Sequence, residues 1–109
     1  PPDDPSAQLL RLDPPLGMTA CYLRRGPFVL ELLHFAARPA RARARVMDEP
    51  GLTHISLSAD IERVLPRVAA YGGEVLEDTN IGFGVFIRDP DGQLVELLPL
   101  SYADGLPTD

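Results

Sequence analysis

The sequence has little cysteine, little positive charge and no long apolar segment. Its single cysteine, Cys21, cannot form a disulfide within the chain. Acidic residues outnumber basic ones by 16 to 10, and the resulting formal net charge of -6 repels nucleic acids and anionic membrane surfaces. No apolar run approaches the roughly 20 residues that a membrane-spanning helix needs. We therefore expect neither a nucleic acid nor a membrane as partner, and a small molecule instead.

The chain does contain enough apolar material for a folded domain. Hydrophobic residues make up 45% of its 109 residues, and this length suits one core better than two ordinary domains. Nothing near the start resembles a secretory signal, so the cytoplasm is the expected location.

The first 50 residues predict a tail, a hairpin and a linker. Within segment 1–16, residues 1–7 are proline-rich and acidic and predict a mobile tail, and the apolar run at 8–12 predicts a short edge strand. Segment 17–36 has two β-rich runs around a Gly-Pro turn, the pattern of a hairpin. Segment 37–50 predicts a solvated linker, with a clamp for an anionic substrate group as the alternative reading of its arginines. These arginines are Arg38, Arg41, Arg43 and Arg45.

Segment 51–100 predicts a complete unit of the order β-α-β-β-β. Apolar and polar residues alternate over 52–59, as in a strand with one buried face, and Asp60 is a candidate N-cap for the helix that follows. The apolar face of that strand is expected to pack under the helix. A Gly-Gly pair ends the helix, and the Asp-Pro-Asp-Gly run that begins at Asp89 predicts the turn between the last two strands. Segment 101–109 is expected to be a C-terminal tail.

Three residues in strand-like runs are candidates for a metal site. His54 and Glu96 stand near the two ends of segment 51–100, and Glu31 stands among apolar residues in the first hairpin. An unpaired carboxylate in an apolar setting costs several kcal/mol, so Glu31 should be paired, liganded or facing a wet cavity. His34 is three residues from Glu31 and therefore points to the opposite face of its strand.

The two hairpins of the sequence repeat each other. Residues 21–33 align with residues 85–98, so that Arg24 corresponds to Arg88 and Glu31 to Glu96. A repeat of this kind predicts a fold built from two copies of one module. The first copy has its last strands but lacks an opening strand and helix.

These motifs resemble the vicinal oxygen chelate superfamily, which includes glyoxalase I, methylmalonyl-CoA epimerase, extradiol dioxygenases and bleomycin- or fosfomycin-resistance proteins. The resemblance rests on GLTHISLSAD, which begins at Gly51, and on DPDGQLVELL, which begins at Asp89. It implies an α+β fold of paired βαβββ modules, the first truncated, with a mixed sheet curled around a cavity. It also implies metal ligation by His54, Glu96 and Glu31, and no residue here matches the family's fourth ligand position.

The residue types themselves also suit metal binding and proton transfer, independently of the resemblance. A neutral imidazole and carboxylate oxygens bind a divalent ion such as Zn, Ni, Co, Mn or Fe. With two glutamates at one ion, Glu31 and Glu96, one can bind while the other moves a proton next to a polarised carbonyl. The expected function is thus a metal-dependent lyase or isomerase of the glyoxalase I or epimerase type. The alternatives are a metal-free, antibiotic-sequestering binding protein and an Fe(II) extradiol dioxygenase.

The incomplete first module predicts association between copies of the chain. A module and a half leaves an unpaired sheet edge and an apolar face, both of which folded proteins avoid exposing. We therefore expect a homodimer in which sheets pair or modules swap.

Overall fold

The computed structural model describes residues 3–39 and 46–107. The chain divides into two compact units, Pro1–Arg41 and Ala42–Asp109. The described residues form two α-helices, a two-stranded sheet and a mixed four-stranded sheet, both sheets being open. The α+β class predicted from the sequence is therefore confirmed. None of the helices in these described ranges combines the length and apolar character needed to span a bilayer.

The first unit begins with a helix, α1 (Asp3–Leu10), where the sequence predicted a mobile tail and an edge strand at 8–12. That prediction is wrong for two physical reasons. Pro5 stands in the first turn, where the N–H it lacks would have had no partner, and Ala7 gains burial, being only 3% exposed. The helix closes where the Leu12 amide donates to the carbonyl of Ala7, at 3.0 Å.

The predicted hairpin follows and is confirmed. Strand β1 (Met18–Arg25) pairs antiparallel with strand β2 (Phe28–Phe35). Gly26 in the two-residue turn has φ of 58°, the left-handed conformation that glycine adopts without strain. Before the hairpin, Leu16 is fully buried and its carbonyl accepts from the Ala37 amide at 3.1 Å, which fastens the segment after β2 to the segment before β1.

The second unit has the predicted βαβββ order. Its elements are β3 (His54–Ser58), α2 (Ile61–Val68), β4 (Glu74–Leu76), β5 (Val85–Arg88) and β6 (Leu94–Leu98). The strands lie in the order β3-β6-β5-β4, with β3 parallel to β6 and the remaining pairs antiparallel. Short 3-10 turns occupy Ala69–Tyr71, Glu77–Thr79 and, within the predicted C-terminal tail, Tyr102–Gly105.

The sequence signals that predicted the ends of helices and strands agree with the structure, with one exception. Gly72, at φ of 85°, ends the helical segment as predicted. In the turn between β5 and β6, the Asp89 carboxylate accepts from the amides of Asp91 and Gln93, at 2.9 and 2.8 Å. Asp60 occupies the N-cap position of α2, but its side chain makes no capping hydrogen bond, so the expected side-chain cap is not formed.

Helix α2 packs on one face of the sheet, and the small core lies there. Its largest contributions are Val68 from the helix and Val85 and Leu97 from the sheet, all nearly buried. The sequence placed the apolar face of β3 under this helix. Ile55 and Leu57 do lie on that face, opposite Val95 and Leu97 of β6, and each remains 37% exposed.

The two hairpins share one register. Tyr22 pairs with Glu31 across β1 and β2, and Phe86 pairs with Glu96 across β5 and β6. The neighbouring pairs correspond as well, since Arg24 lies opposite Val29 and Arg88 lies opposite Leu94. The sequence alignment of the two segments is therefore also an alignment of cross-strand partners. Duplicated modules around a common cavity stay a prediction.

Candidate functional site

The four-stranded sheet brings His54 and Glu96 onto one face. In the parallel pairing of β3 with β6, His54 lies opposite Leu94 and Ser56 lies opposite Glu96. Paired residues of adjacent strands point to the same side of a sheet, and so do residues two apart on one strand. The imidazole and the carboxylate are therefore diagonal neighbours on the face away from α2.

The imidazole of His54 is oriented by the preceding residue. Its Nδ1 lies 2.8 Å from Oγ1 of Thr53, a side chain that is only 8% exposed. The same hydroxyl donates its one proton to Sδ of Met47, at 3.4 Å. With the hydroxyl proton directed at Met47, Nδ1 of His54 is the protonated ring nitrogen and donates to Thr53. The Nε2 atom then keeps its lone pair, as a metal ligand or a base requires.

A ring contact completes the setting of His54. Its imidazole meets the ring of Phe86 edge to face, with centroids 5.0 Å apart and planes inclined at 73°. Phe86 lies opposite Glu96 in the β5–β6 pairing. The phenyl ring thus flanks both the imidazole and the carboxylate, and it supplies the apolar wall of the candidate site.

Glu96 is held by a neighbour that sequence reasoning did not single out. Oγ of Ser56 donates to Oε1 of Glu96, at 2.7 Å. Because Ser56 shares the strand face of His54, their alternation along β3 was the signal that could have identified it. The hydrogen bond fixes one carboxylate oxygen and leaves Oε2 for a ligand or a proton.

Glu31 belongs to the first unit, and it is exposed rather than buried among the surrounding apolar side chains. The phenol of Tyr22, its cross-strand partner, forms a hydrogen bond with the Glu31 carboxylate. That hydrogen bond, with the negative charge, raises the pKa of Tyr22. The pair lines a groove of about 670 Å³ between α1 and the hairpin. His34 lies opposite Thr19, on the other face of β2, as predicted.

The arginine segment is only partly within the described residues. Arg41, Arg43 and Arg45 lie outside them, so the anionic clamp stays an alternative. Nη2 of Arg38 donates to the carbonyl oxygen of Asp13, at 2.8 Å. This guanidinium therefore fastens the end of the hairpin to the segment before β1.

The structure accordingly assembles two of the three predicted ligands. Within residues 3–39 and 46–107, no group of three His, Cys, Asp or Glu side chains is arranged to hold a metal ion. His54 and Glu96 are neighbours in the second unit, and Glu31 belongs to the first. The three-residue metal set stays a prediction.

Comparison with known proteins adds no further constraint. No protein-family model matches the sequence, and neither a curated protein nor a solved structure does so. The resemblance to the vicinal oxygen chelate superfamily therefore rests on the motifs and on the βαβββ order.

Proposed function

We propose that the protein is a metal-dependent lyase or isomerase of the glyoxalase type, acting on a small molecule that carries a carbonyl group. One observation carries this proposal. The same aromatic-to-glutamate pair occurs in the same register in both hairpins, and in the second unit an oriented imidazole lies beside it. A carboxylate repeated at equivalent positions, with a histidine beside one copy, is better suited to a polar centre than to a core.

The donors in the second unit fit a divalent ion of the Zn, Ni, Co, Mn or Fe group. Among the described residues, no hydrogen-bond partner occupies Nε2 of His54 or Oε2 of Glu96, a nitrogen and an oxygen of the kind these ions accept. Glu31 is the candidate for the proton-transferring carboxylate, by its equivalence to Glu96. When bound, such an ion polarises a substrate carbonyl and makes the adjacent C–H more acidic.

The surroundings of the two glutamates favour different roles. Glu96 is half-buried and anchored by Ser56, so its orientation is fixed and suits metal binding. Glu31 is exposed and shares a hydrogen bond with the phenol of Tyr22. An accessible carboxylate beside a hydroxyl group can accept a proton from substrate and return it, so we assign Glu31 the proton transfer.

Metal binding is tested by thermal unfolding with and without Zn²⁺, Ni²⁺ or Co²⁺. An ion at 100 times its Kd stabilises the folded chain by about 2.7 kcal/mol, and chelation should reverse this. His54→Ala should abolish the shift and Glu96→Gln should reduce it. His34→Ala is the matched control, because it removes the other histidine from the opposite face of β2. Equal losses in both histidine variants would contradict the proposal, and so would no metal response in wild type.

The same variants separate the alternative functions. Oxygen uptake with Fe(II) would indicate a ring-cleaving dioxygenase. Tight stoichiometric binding of a small molecule, unaffected by chelator and by His54→Ala, would indicate a metal-free binding protein.

We also propose that two copies of the chain associate through the first hairpin. Among the described residues no strand pairs with the outer edge of β2. The hairpin also exposes large apolar side chains on both faces: Tyr22, Leu23, Phe28, Val29 and Leu32. A second copy would cover this surface and pair the open edge.

Sedimentation at micromolar concentration tests this association. Wild type should be a dimer, and Leu32→Asp should be a monomer because it puts a charge into the proposed interface. Leu106→Asp is the matched control, since Leu106 is equally exposed, at 49%, but lies outside the hairpin. A monomeric wild type would contradict the proposal.

A further inference from the structure

A second groove lies on the opposite face of the four-stranded sheet from His54 and Glu96. It runs between α2 and the end of β5 and has a volume of about 570 Å³, within the usual range of small-molecule sites. Ile87 of β5 lines it, and this residue pairs with Val95 on the face that α2 covers. The groove is thus separate from the proposed metal site.

The floor of the groove is apolar. Val64 and Val68 contribute from the helix, and Ile87 and Pro90 from the strand and the turn after it. Gly73 lines one end of the groove and packs closely there, since a Cβ at this position would lie 2.9 Å from Cγ1 of Val68. This floor suits the body of an aromatic or alicyclic molecule.

Cationic groups stand along the helical side of the groove. Arg63 and Arg67 are four residues apart and therefore share one helix face. Nη2 of Arg67 lies 3.1 Å from the hydroxyl of Tyr71, and its guanidinium carbon lies 5.7 Å from the centre of that ring. Contact with Tyr71 limits the freedom of Arg67, so less conformational entropy is lost when it binds an anion.

Two carboxylates also line the groove, and they restrict the charge of its ligand. Asp89 accepts two backbone amides of its own turn, which partly neutralise its charge, whereas Asp60 makes no capping bond. With two arginines and two aspartates, the lining has no net formal charge. A second negative charge on a ligand would meet these carboxylates, so a single acidic group is favoured.

We propose that this groove binds a small amphipathic monoanion, an aromatic or alicyclic carboxylate or sulfonate. The apolar body lies on Val64, Val68 and Ile87. The acidic group accepts hydrogen bonds from Arg63 and Arg67, whose planar guanidinium groups match the geometry of an oxyanion.

The probe for this groove is 8-anilinonaphthalene-1-sulfonate, added to the full chain labelled with ¹⁵N and followed by amide chemical shifts. Saturable shifts are expected at Val68, Gly73 and Ile87. N-phenyl-1-naphthylamine, the neutral molecule without the sulfonate, should bind more weakly at the same amides. Shifts confined to the exposed hairpin, or equal affinity for both probes, would overturn the proposal.

Two variants test the cationic side. Arg67→Gln should weaken binding of the sulfonate about fivefold, as expected for an exposed charge-assisted contact, and leave the neutral probe unchanged. Arg88→Gln is the matched control, because Arg88 is exposed and pairs with Leu94, on the face of His54. Equal effects of the two substitutions would overturn the proposal. The amide spectrum without probe shows whether each variant is folded.

Discussion

Replacing Gly73 by alanine tests a close approach of the main chain in the second unit. Gly73 directly precedes β4, and a Cβ built there would lie 2.7 Å from the carbonyl oxygen of Arg88 and 2.9 Å from Cγ1 of Val68. The oxygen belongs to the backbone of β5, which is held in the sheet by its pairing with β4 and β6. Relief of the clash therefore requires a shift of main chain and not of a side chain alone.

The cost follows from that geometry. Overpacking a close-packed site destabilises a protein by about 1–3 kcal/mol. For a domain of this size each kcal/mol lowers Tm by about 4–8 °C. We therefore expect Gly73→Ala to melt roughly 4–24 °C below wild type. Val68 is one of the few buried core residues, so the substitution also displaces the packing of α2.

The assay is thermal and urea unfolding followed by circular dichroism. Gly105→Ala is the matched control, because a Cβ at Gly105 meets no atom within 4 Å. Its Tm should stay close to that of wild type. A Gly73→Ala variant that melts within about 2 °C of wild type, half the smallest expected shift, would refute the close approach between the segment before β4 and β5.

Two further predictions concern side-chain pairs. Thr53→Val leaves the Nδ1 proton of His54 without its acceptor, so the free energy of unfolding should fall by about 1–3 kcal/mol. The ¹⁵N chemical shifts of the imidazole should move toward those of the other tautomer. Unchanged ring shifts would contradict the proposed orientation. Glu31→Gln should lower the pKa of Tyr22 toward its ordinary value, because it removes a charge that raises it. In wild type the raised pKa stabilises the folded chain at any pH below the pKa that Tyr22 has in the unfolded chain. This stabilisation is lost as the pH rises through the pKa of Tyr22 in the folded chain. Ultraviolet absorbance titration gives the tyrosine ionisation curves of wild type and of Glu31→Gln, and Tyr22→Phe identifies the contribution of the Tyr22 phenol. Superimposable curves for wild type and Glu31→Gln would contradict the Tyr22–Glu31 contact.

The sequence predicted the second unit well because its signals are local. Alternation in β3, the glycine at Gly72 and the turn at Asp89 each depend on a few adjacent residues, and the structure contains the corresponding elements. The exposure of Ile55 and Leu57 was not predictable in the same way. It depends on the length and position of α2, which are set by packing and not by the pattern of β3.

The helix α1 was missed for a related reason. Prolines and acidic residues in a terminal segment are typical of mobile tails, and the apolar positions in α1 are too few to reveal a helical period. Ala7 and Leu10 are three residues apart, and this spacing becomes meaningful only in the folded unit, where Ala7 is 3% exposed and Leu10 lines the groove beside the hairpin. The tertiary contact overrides a weak local preference.

For the candidate site, residue types were easier to predict than partners. His54 and Glu96 stood out because ionisable residues are uncommon in strand-like runs. Ser56 and Thr53 did not, since short polar side chains are ordinary in strands and acquire a role only when a neighbour lies within hydrogen-bonding distance. Tyr22, which lines the groove beside α1 while 62% exposed, is likewise recognised as the partner of Glu31 only from the structure.

The partners of the two equivalent glutamates differ in a way that follows from the strands around them. Glu96 has a parallel neighbour, β3, and receives its hydrogen bond from Ser56 on that strand. Glu31 stands on β2, and among the described residues β1 is the only other strand of that sheet. Its hydrogen bond comes instead from Tyr22 within the same hairpin, at the position where the second hairpin has Phe86, a ring without a hydroxyl. The phenol thus supplies to Glu31 the donor that a neighbouring strand supplies to Glu96, and Glu31 stays the more exposed of the two carboxylates.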